Sequence, residues 1–277
     1  MKQRIIWGAV FGIVLIGVFI SNQPYLFIAA TTAICMLCLQ EFFKMIADHD
    51  ESFATSFSFY NSFGVTAGAA IVLIFQLVAY NKVFPQFAWI ALLLLWLVFI
   101  YELLNASKGN VLANCSYFAL AIIYIVAPLA LSSYLAFEHG NYYPWRVFGL
   151  FILIWTSDTM QYFSGKFLGK HKLYEQISPN KTWEGTIGGV IFTIIAGYIL
   201  SHFVGKEISY SAMQWMMIAT LVAVFGSIGD LVESMFKRQM KVKDSGNFLP
   251  GHGGALDRFD SFIFVLPFVV VYWMMVR

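Results

Sequence analysis

Nine long runs of apolar residues determine what this chain can fold into. They lie at residues 5–21, 24–46, 63–80, 86–104, 113–137, 147–165, 186–204, 212–236 and 259–276. A helix needs about 20 apolar residues to cross about 30 Å of hydrocarbon, and backbone polar groups in lipid must be paired within the spanning structure. The runs are too long and too uniformly apolar for barrel strands. The sequence therefore predicts an all-α integral membrane protein with about nine transmembrane helices.

The composition excludes a water-soluble domain. Of the 277 residues, 60% are apolar and 12% are charged, with a mean hydropathy of +0.73, whereas soluble domains carry about 25% charged residues. The net charge of +2 is too small for a nucleic-acid-binding surface, so we expect no nucleic-acid partner. The three cysteines form no disulfide framework. Cys35-x-x-Cys38 lies in an apolar run, which favours a packed helix face over a redox motif.

Lysine and arginine are distributed unevenly across the predicted membrane. The first apolar run follows Lys2 and Arg4, and no small-residue cleavage site follows it, so we interpret it as a retained span. With the N-terminus inside, 13 of the 17 Lys and Arg residues lie on the inner side and the other 4 on the outer side. Cytoplasmic loops carry such an excess. We therefore predict a multi-pass protein of the inner (cytoplasmic) membrane, with a cytoplasmic N-terminus and the C-terminus outside.

Charged residues are concentrated near the carboxyl end of the chain. Ten of the 32 charged residues (17 basic and 15 acidic) lie between positions 230 and 260. Ionisable groups at a membrane edge are costly and by default mark a functional site. A basic patch that attracts anionic lipid would explain the lysines but not the five carboxylates among them. The ten are Asp230, Glu233, Lys237, Arg238, Lys241, Lys243, Asp244, Asp257, Arg258 and Asp260.

Four aspartates on three predicted helices reach one level of the membrane. Asp158 lies about eleven residues, or roughly 16 Å, below the start of the sixth run, among polar residues that predict a hydrated cavity. Asp230 lies late in the descending eighth run, and Asp257 and Asp260 open the ascending ninth run on one helix face. For each aspartate alone, a structural salt bridge is the simpler interpretation. Together, with bases between them, they predict a Mg²⁺ site at the cytoplasmic rim, because Mg²⁺ binds carboxylate, water and phosphate oxygens.

Two inner loops have features of phosphate-binding segments. Residues 249–254, L-P-G-H-G-G, precede a predicted helix start, where glycines let backbone N–H groups approach an anion. For the histidine of this loop, a phosphate contact and a backbone contact remain equally open. Residues 178–185, S-P-N-K-T-W-E-G, place a lysine and hydroxyl groups before the seventh helix. The candidate phosphate ligands are Gly251, His252, Gly253 and Gly254, the bases Lys181, Lys237, Arg238, Lys243 and Arg258, and the hydroxyls of Ser178 and Thr182.

Several common catalytic motifs are absent from the sequence. It contains no G-x-x-x-x-G-K-[ST], no H-E-x-x-H and no G-x-S-x-G. P-loop nucleotide hydrolysis, zinc-dependent proteolysis and serine hydrolysis therefore lack their usual residues. The acidic triplet at 48–50, D-H-D, is similar to the D-x-D of sugar-nucleotide enzymes, but three residues in an acidic loop are weak support.

The longest motif combines S-M-F-K-R at 234–238 with K-D-S-G-N-F-L-P-G-H-G-G-A-L-D-R-F-D at 243–260. It resembles the signature of phosphatidate cytidylyltransferases, also called CDP-diacylglycerol synthases. S-P-x-K-T-W-E-G at 178–185 and the segment from Asp158 to Lys170 are also similar to that family. The resemblance covers roughly residues 150–277. We therefore predict an N-terminal membrane region, 1–145, with about five spans, and a catalytic membrane region, 146–277, with about four spans and cytoplasmic loops.

The resemblance implies transfer of a cytidylyl group from CTP to phosphatidic acid, which gives CDP-diacylglycerol and pyrophosphate for phospholipid biosynthesis. CTP would arrive from the cytosol and phosphatidic acid from the inner leaflet, so the active site would face the cytoplasm. The implied cofactor is Mg²⁺, with a second metal ion and a homodimeric assembly left open. The implied metal ligands are Asp158, Asp230, Asp257 and Asp260. The implied catalytic residues are Asp230, Lys237, Arg238, Lys243, Asp244, His252, Asp257, Arg258 and Asp260, and the substrate-binding residues are Asp158, Ser178, Lys181, Thr182, Gly251, Gly253 and Gly254.

Two other functions remain as alternatives. The nearer one is a CTP-dependent lipid kinase or another CTP:lipid-phosphate transferase, which would use similar phosphate-binding residues. The more distant one is an ion-coupled transporter, because buried aspartates also serve transport. Transporter sites favour the middle of the bilayer, whereas these carboxylates are predicted at one edge.

Overall fold

The computed structural model describes residues 12–19, 21–106, 109–204, 210–248 and 253–276, and most of these residues are helical. Within these ranges, seven helical segments are long and apolar enough to cross a membrane, judged by length and composition. They are Pro24–Ala47, Phe57–Ala79, Gln86–Leu104, Val111–Ala136, Trp183–Val204, Ala212–Gln239 and Leu256–Val276. The all-α membrane fold is therefore confirmed, while the count of nine spans and the sides of the two termini stay predictions.

Two predicted spans are not among the seven. The first, 5–21, lies partly outside the described residues, and its described part 12–19 is helical. The sixth, 147–165, forms the 25-residue helix Pro144–Leu168, which is about 37 Å long at 1.5 Å per residue. Its second half is rich in hydroxyl and amide side chains and contains Asp158. The sixth span is thus long enough to cross a membrane but is less apolar than the others.

We number the helices and strands in chain order from Pro24. They are α1 (Pro24–Ala47), α2 (Glu51–Ala54), α3 (Phe57–Phe59), α4 (Val65–Ala79), α5 (Gln86–Leu93), α6 (Leu97–Leu104), α7 (Val111–Ala121), α8 (Ala127–Ala136), β1 (Phe137–Glu138), β2 (Asn141–Tyr142), α9 (Pro144–Leu168), β3 (Lys172–Tyr174), β4 (Ser178–Thr182), α10 (Trp183–Val204), α11 (Ala212–Gln239) and α12 (Leu256–Val276). Single π-helical turns, Tyr60–Gly64 and Ile122–Val126, join α3 to α4 and α7 to α8, and a 3₁₀ turn, Leu94–Trp96, joins α5 to α6. Three of the spans are therefore continuous helices with one non-α turn each.

The chain forms two compact units, of which the first comprises Met1–Tyr142 and Met240–Arg258. Its interior contains a cluster of aromatic rings with centroids 5.0–6.5 Å apart, at distances that favour edge and offset contacts. These rings belong to Phe43, Phe53, Tyr60 and Phe118. The unit also takes in Met240–Arg258, which the sequence analysis placed in the region 146–277. The division at residue 145 stays a prediction.

A buried carboxyl group connects three helical segments of the first unit. Glu102 on α6 is 2% exposed. It accepts a hydrogen bond of 2.8 Å from the Tyr60 hydroxyl and one of 3.1 Å from the Asn114 side-chain amide. Buried polar groups are costly unless they are paired. We infer that these bonds stabilise the packing of the π-helical turn at 60–64 against α6 and α7.

The second unit comprises Tyr143–Gln239 and Phe259–Arg277. Glycines let its helices approach each other closely: a Cβ atom on Gly185 of α10 would lie 2.9 Å from the carbonyl oxygen of Gln161 on α9. Gly197 of α10 would similarly meet the Trp215 carbonyl oxygen of α11 at 2.8 Å. Close backbone approach through small residues is the usual basis of helix packing in membranes. The same unit contains the antiparallel hairpin β3–β4, which connects α9 to α10.

Candidate functional site

Three of the predicted aspartates interact within the second unit. Asp158 lies on α9, Asp230 on α11 and Asp260 on α12. Asp260 is 7% exposed, and the charges of Asp230, Asp158 and Lys237 act on its carboxyl group. The two aspartates repel a negative charge on Asp260, and Lys237 attracts it. We call Asp158, Asp230 and Asp260 the aspartate cluster.

A glycine allows α11 and α12 to approach at this cluster. Gly229 precedes Asp230, and a Cβ atom at this position would lie 3.2 Å from the carbonyl oxygen of Asp260 and 2.6 Å from the Cβ of Phe264. The hydroxyl of Ser261 also donates a hydrogen bond of 3.1 Å to the carbonyl oxygen of Gly226. The neighbours of Asp230 and Asp260 in the sequence therefore fix the two helices side by side where both carboxylates occur.

Two lysines provide positive charge next to the cluster. The Nζ of Lys181 lies 2.5 Å from Oδ2 of Asp230 and also donates to the Ser227 carbonyl oxygen at 3.3 Å. Lys237 forms an ion pair with Glu233, one turn earlier on α11, and the Glu233 side chain is 1% exposed. Because β4 carries Lys181, the hairpin before α10 supplies a cation that sequence order alone does not place near Asp230.

The other predicted residues around the hairpin have structural contacts. The Thr182 hydroxyl accepts the Gly185 N–H at 3.1 Å, an N-terminal cap for α10, and Thr182 is 8% exposed. Ser178 pairs with Tyr174 in the hairpin register. The carboxylate of Glu184 accepts the backbone N–H of Lys170 at 3.0 Å. Substrate binding by Ser178 and Thr182 stays a prediction.

Asp257 belongs to the first unit, where the backbone binds its carboxylate. Its Oδ2 accepts the backbone N–H of Ser245 at 2.9 Å and of Gly254 at 2.7 Å, and lies 3.1 Å from the Ser245 hydroxyl. Gly253 has a φ of +84°, which favours glycine. The N–H of Gly254, predicted to contact a phosphate, thus already has a partner in this structure, the carboxylate of Asp257 in the first turn of α12. The roles of Asp257, Gly253 and Gly254 in substrate or metal binding stay predictions.

The remaining predicted residues lie at the surface or beyond the described ranges. Arg238, Lys243, Asp244 and Arg258 are exposed. Gly251 and His252 lie outside the described residues. No contact described above tests the predicted roles of these six residues, which stay predictions.

One further residue, Glu41 on α1, was not predicted from the sequence. Its carboxylate accepts hydrogen bonds from the backbone N–H groups of Ala255 and Leu256 and from the Ser245 hydroxyl. The signal was present, because Glu41 is the only carboxylate within the predicted second span, 24–46. An acidic residue inside an apolar run is a functional candidate by default.

The donor chemistry of the aspartate cluster suits Mg²⁺, which prefers carboxylate oxygens and keeps positions for water and phosphate. Over the part of the chain that the structure describes, no group of three or more His, Cys, Asp or Glu side chains has the geometry of a preformed metal site. Asp230 is paired with Lys181. The cluster therefore fits Mg²⁺ in ligand type and charge, and Mg²⁺ itself stays a prediction.

The fold and this cluster define a multi-pass membrane protein with a charged centre built from aspartates and lysines. The chain belongs to the Cytidylyltransferase family, whose model matches residues 2–276.

Relatives named phosphatidate cytidylyltransferase are similar to part of the chain. The protein from Staphylococcus haemolyticus is 50% identical over 117 residues, which is 42% of this chain and 44% of the relative. The one from Bacillus subtilis is 50% identical over 123 residues, which is 44% of this chain and 45% of the relative. The one from Staphylococcus saprophyticus is 52% identical over 118 residues, 42% of this chain and 44% of the relative. Each alignment thus spans less than half of the relative's length.

Proposed function

We propose that this protein transfers the cytidylyl group of CTP to phosphatidic acid, forming CDP-diacylglycerol and pyrophosphate. The observation that carries the proposal is the buried Asp260, on whose carboxyl group the charges of Asp158, Asp230 and Lys237 act, together with the ion pair between Lys181 and Asp230, in a chain with membrane-spanning helices. Membership of the Cytidylyltransferase family supports the nucleotide, and the names of the relatives support the lipid substrate.

The proposed reaction requires little proton transfer. An anionic oxygen of the phosphatidic acid phosphate attacks the α-phosphorus of CTP and forms the new P–O bond. The bond between the α-phosphorus and the α–β bridging oxygen breaks, and its electron pair leaves with pyrophosphate. Because the nucleophile is already charged, catalysis depends mainly on positioning the reactants and on neutralising phosphate charge.

The lysines next to the aspartate cluster perform this neutralisation. On substrate binding, Lys181 exchanges Asp230 for a phosphate oxygen. Lys237 keeps its ion pair with the buried Glu233 and contributes its positive charge from that position. Arg238, exposed at the end of α11, can bind phosphate oxygens in bidentate fashion. A Mg²⁺ ion held by Asp158, Asp230 and Asp260 would supply further charge neutralisation at the transferred phosphate.

We propose that the centre faces the cytoplasm, where CTP is available, and that phosphatidic acid enters from the inner leaflet. The excess of Lys and Arg on the predicted inner side supports this orientation. Membrane localisation itself follows from the seven spans. The assignment to the inner membrane and the homodimer stay predictions.

Isotopic labelling of CTP tests the proposed function. Purified protein in detergent micelles that contain phosphatidic acid and Mg²⁺ would be incubated separately with CTP labelled in the α-phosphate and in the γ-phosphate. We expect label from the α-phosphate in the lipid product and label from the γ-phosphate in pyrophosphate. Label from the γ-phosphate in the lipid would instead identify a kinase. Absence of label from lipid would contradict both enzymes and favour a transporter.

A further inference from the structure

The carboxylate of Glu41 connects α1 to both ends of a segment more than 200 positions later in the chain. Oε1 accepts the Ala255 N–H at 2.8 Å, and Oε2 accepts the Leu256 N–H at 2.9 Å. The Ser245 hydroxyl donates to Oε2 at 2.9 Å. All these residues belong to the first unit. Three donors thus converge on one side chain, and hydrogen bonds to an ionised acceptor are stronger than neutral ones.

Glycines on two sides of Glu41 leave space for its carboxylate. A Cβ atom on Gly246 would lie 2.6 Å from Oε1 of Glu41 and 2.7 Å from its Cδ. A Cβ atom on Gly254 would clash with Oε2 of Glu41 and with the Ser245 hydroxyl. These glycines therefore form a close-fitting pocket for the Glu41 carboxylate.

The donors of Ala255 and Leu256 are the first backbone groups of α12, which begins at Leu256. Such N–H groups have no acceptor within their own helix, and negative charge is favourable at a helix N-terminus. Glu41 therefore caps α12 from another helix and at the same time binds Ser245, where the loop begins. The loop between these two attachments, which we call the 245–256 loop, contains the glycine-rich residues predicted to contact phosphate.

We propose that Glu41 is a positioning residue for nucleotide binding: it holds the two described ends of the 245–256 loop, Ser245 and the start of α12 at Ala255 and Leu256, in the arrangement that binding of CTP requires. This inference rests on the proposed function. It assigns to the N-terminal helices a role that the charged motifs of residues 150–277 do not reveal. Glu41 acts through Ser245 and the start of α12, without touching the substrate.

Steady-state kinetics of Glu41→Gln test the proposal. The amide keeps the size of the side chain but turns an NH₂ group toward backbone N–H donors, so at least one of the three bonds is lost. We expect the KM for CTP to rise about tenfold, with the KM for phosphatidic acid within about twofold of the original value and kcat lowered less than about threefold. Hydrogen exchange at the amides of Ala255 and Leu256 should become faster.

Glu102→Gln is the matched control, because Glu102 is also a buried carboxyl of the first unit and its described hydrogen bonds join Tyr60 and Asn114 instead of the 245–256 loop. It should lower thermal stability and leave the KM for CTP unchanged. If Glu41→Gln fails to fold, Glu41→Asp serves as the second variant, because it keeps the charge and shortens the side chain by one methylene. Its KM for CTP should also rise selectively, but by less than in Glu41→Gln.

The outcomes separate the two proposals. An unchanged KM for CTP in a folded Glu41 variant, or equal rises for both substrates, would overturn the positioning role. If the unaltered protein forms no CDP-diacylglycerol, the proposed function fails. In that case faster exchange at Ala255 and Leu256 in Glu41→Gln would still identify Glu41 as the anchor of the loop, and unchanged exchange would reject the anchoring as well.

Discussion

In the first unit, carboxylates are bound by the backbone. Glu41 and Asp257 together accept N–H groups from four residues of the 245–256 loop, and Ser245 contributes its hydroxyl to the same group. Backbone donors cannot move to a substrate without unfolding the loop. These carboxylates therefore determine a conformation.

In the second unit, carboxylates face lysines and one another. Asp230 is paired with Lys181, and Asp260 experiences the charges of Asp158, Asp230 and Lys237. A lysine side chain is flexible, and its ammonium group can move from a carboxylate to a phosphate. The value of a carboxylate for chemistry therefore depends on its partners: substitutions in the second unit should lower turnover without changing the order of the 245–256 loop, whereas those in the first unit should disturb the order of that loop.

Removal of divalent cations should have the largest effect. Treatment with a chelator is expected to lower cytidylyl transfer by more than about a thousandfold, because the aspartate cluster would lose the cation that neutralises phosphate charge. Added Mg²⁺ should restore activity. Amide exchange at Ala255 and Leu256 should not change, since the backbone already binds the carboxylates there. Full activity in the chelator would reject the metal at the cluster.

Substitution of Asp260 should have the next largest effect. We expect Asp260→Asn to lower kcat about a thousandfold with normal membrane insertion, and to leave exchange in the 245–256 loop unchanged. Asp257→Asn should also reduce turnover by orders of magnitude, but with faster loop exchange, because its amide meets backbone donors. Asp48→Asn, at an exposed loop position, is the control. If Asp260→Asn and Asp257→Asn both retained most activity, the assignment of these two aspartates to the metal would be wrong.

Loss of the Lys181 ammonium group should cost about a hundredfold in kcat/KM. Lys181→Met removes the partner of Asp230 and one cation for phosphate. Lys172→Met in the adjacent strand is the matched control, because Lys172 is exposed and donates only to the carbonyl oxygen of Pro179 among its described bonds. Similar rates for the two variants would show that Lys181 is a structural ion pair.

Thr182→Ala tests a residue that follows Lys181 in β4 and whose hydroxyl caps α10. Loss of the bond to the Gly185 N–H should destabilise the protein by about 1 kcal/mol, measured by thermal unfolding in detergent. Turnover should fall less than about threefold, and Thr182→Ser should restore stability. A large loss of turnover at unchanged stability would instead assign the hydroxyl to substrate binding.

The smallest effect is expected at Lys241, which is exposed and has a φ of +56°. Lys241→Ala should change kcat/KM less than about twofold, whereas Arg258→Ala should lower it at least about tenfold. The measurement is the ratio of the two rates under identical lipid conditions. Equal losses in the two variants would mean that Lys241 and Arg258 do not differ in substrate binding, and that the assignment of Arg258 alone to phosphate binding is wrong.

The long helices could be predicted because each requires only about 20 apolar residues in a row. The predicted runs 86–104 and 186–204 correspond to Gln86–Leu104 and Trp183–Val204. The π-helical turns could not be predicted, since the apolar composition of a span is the same with or without them, and the two hairpins were not predicted either. The hairpin β3–β4 was expected only as a polar loop.

The candidate site was only partly accessible from sequence. The motif and the concentration of charged residues between 230 and 260 identified Asp230 and Asp260. The predicted depth of Asp158 in the membrane added this residue to the site. Sequence did not reveal that Asp257 is bound by backbone donors or that Glu41 completes the same loop. Those contacts join residues up to 215 positions apart, and no local pattern specifies which donors a carboxylate will meet.

The most direct test of the account follows oxygen atoms through the reaction. Phosphatidic acid with ¹⁸O in its phosphate group would be converted with unlabelled CTP, and the products examined by ³¹P NMR. Attack by the lipid phosphate predicts an isotope shift on both phosphorus atoms of the CDP-diacylglycerol, because they share a bridging ¹⁸O, together with unlabelled pyrophosphate. A shift on the lipid phosphorus alone, or ¹⁸O in pyrophosphate, would contradict cytidylyl transfer to the lipid phosphate.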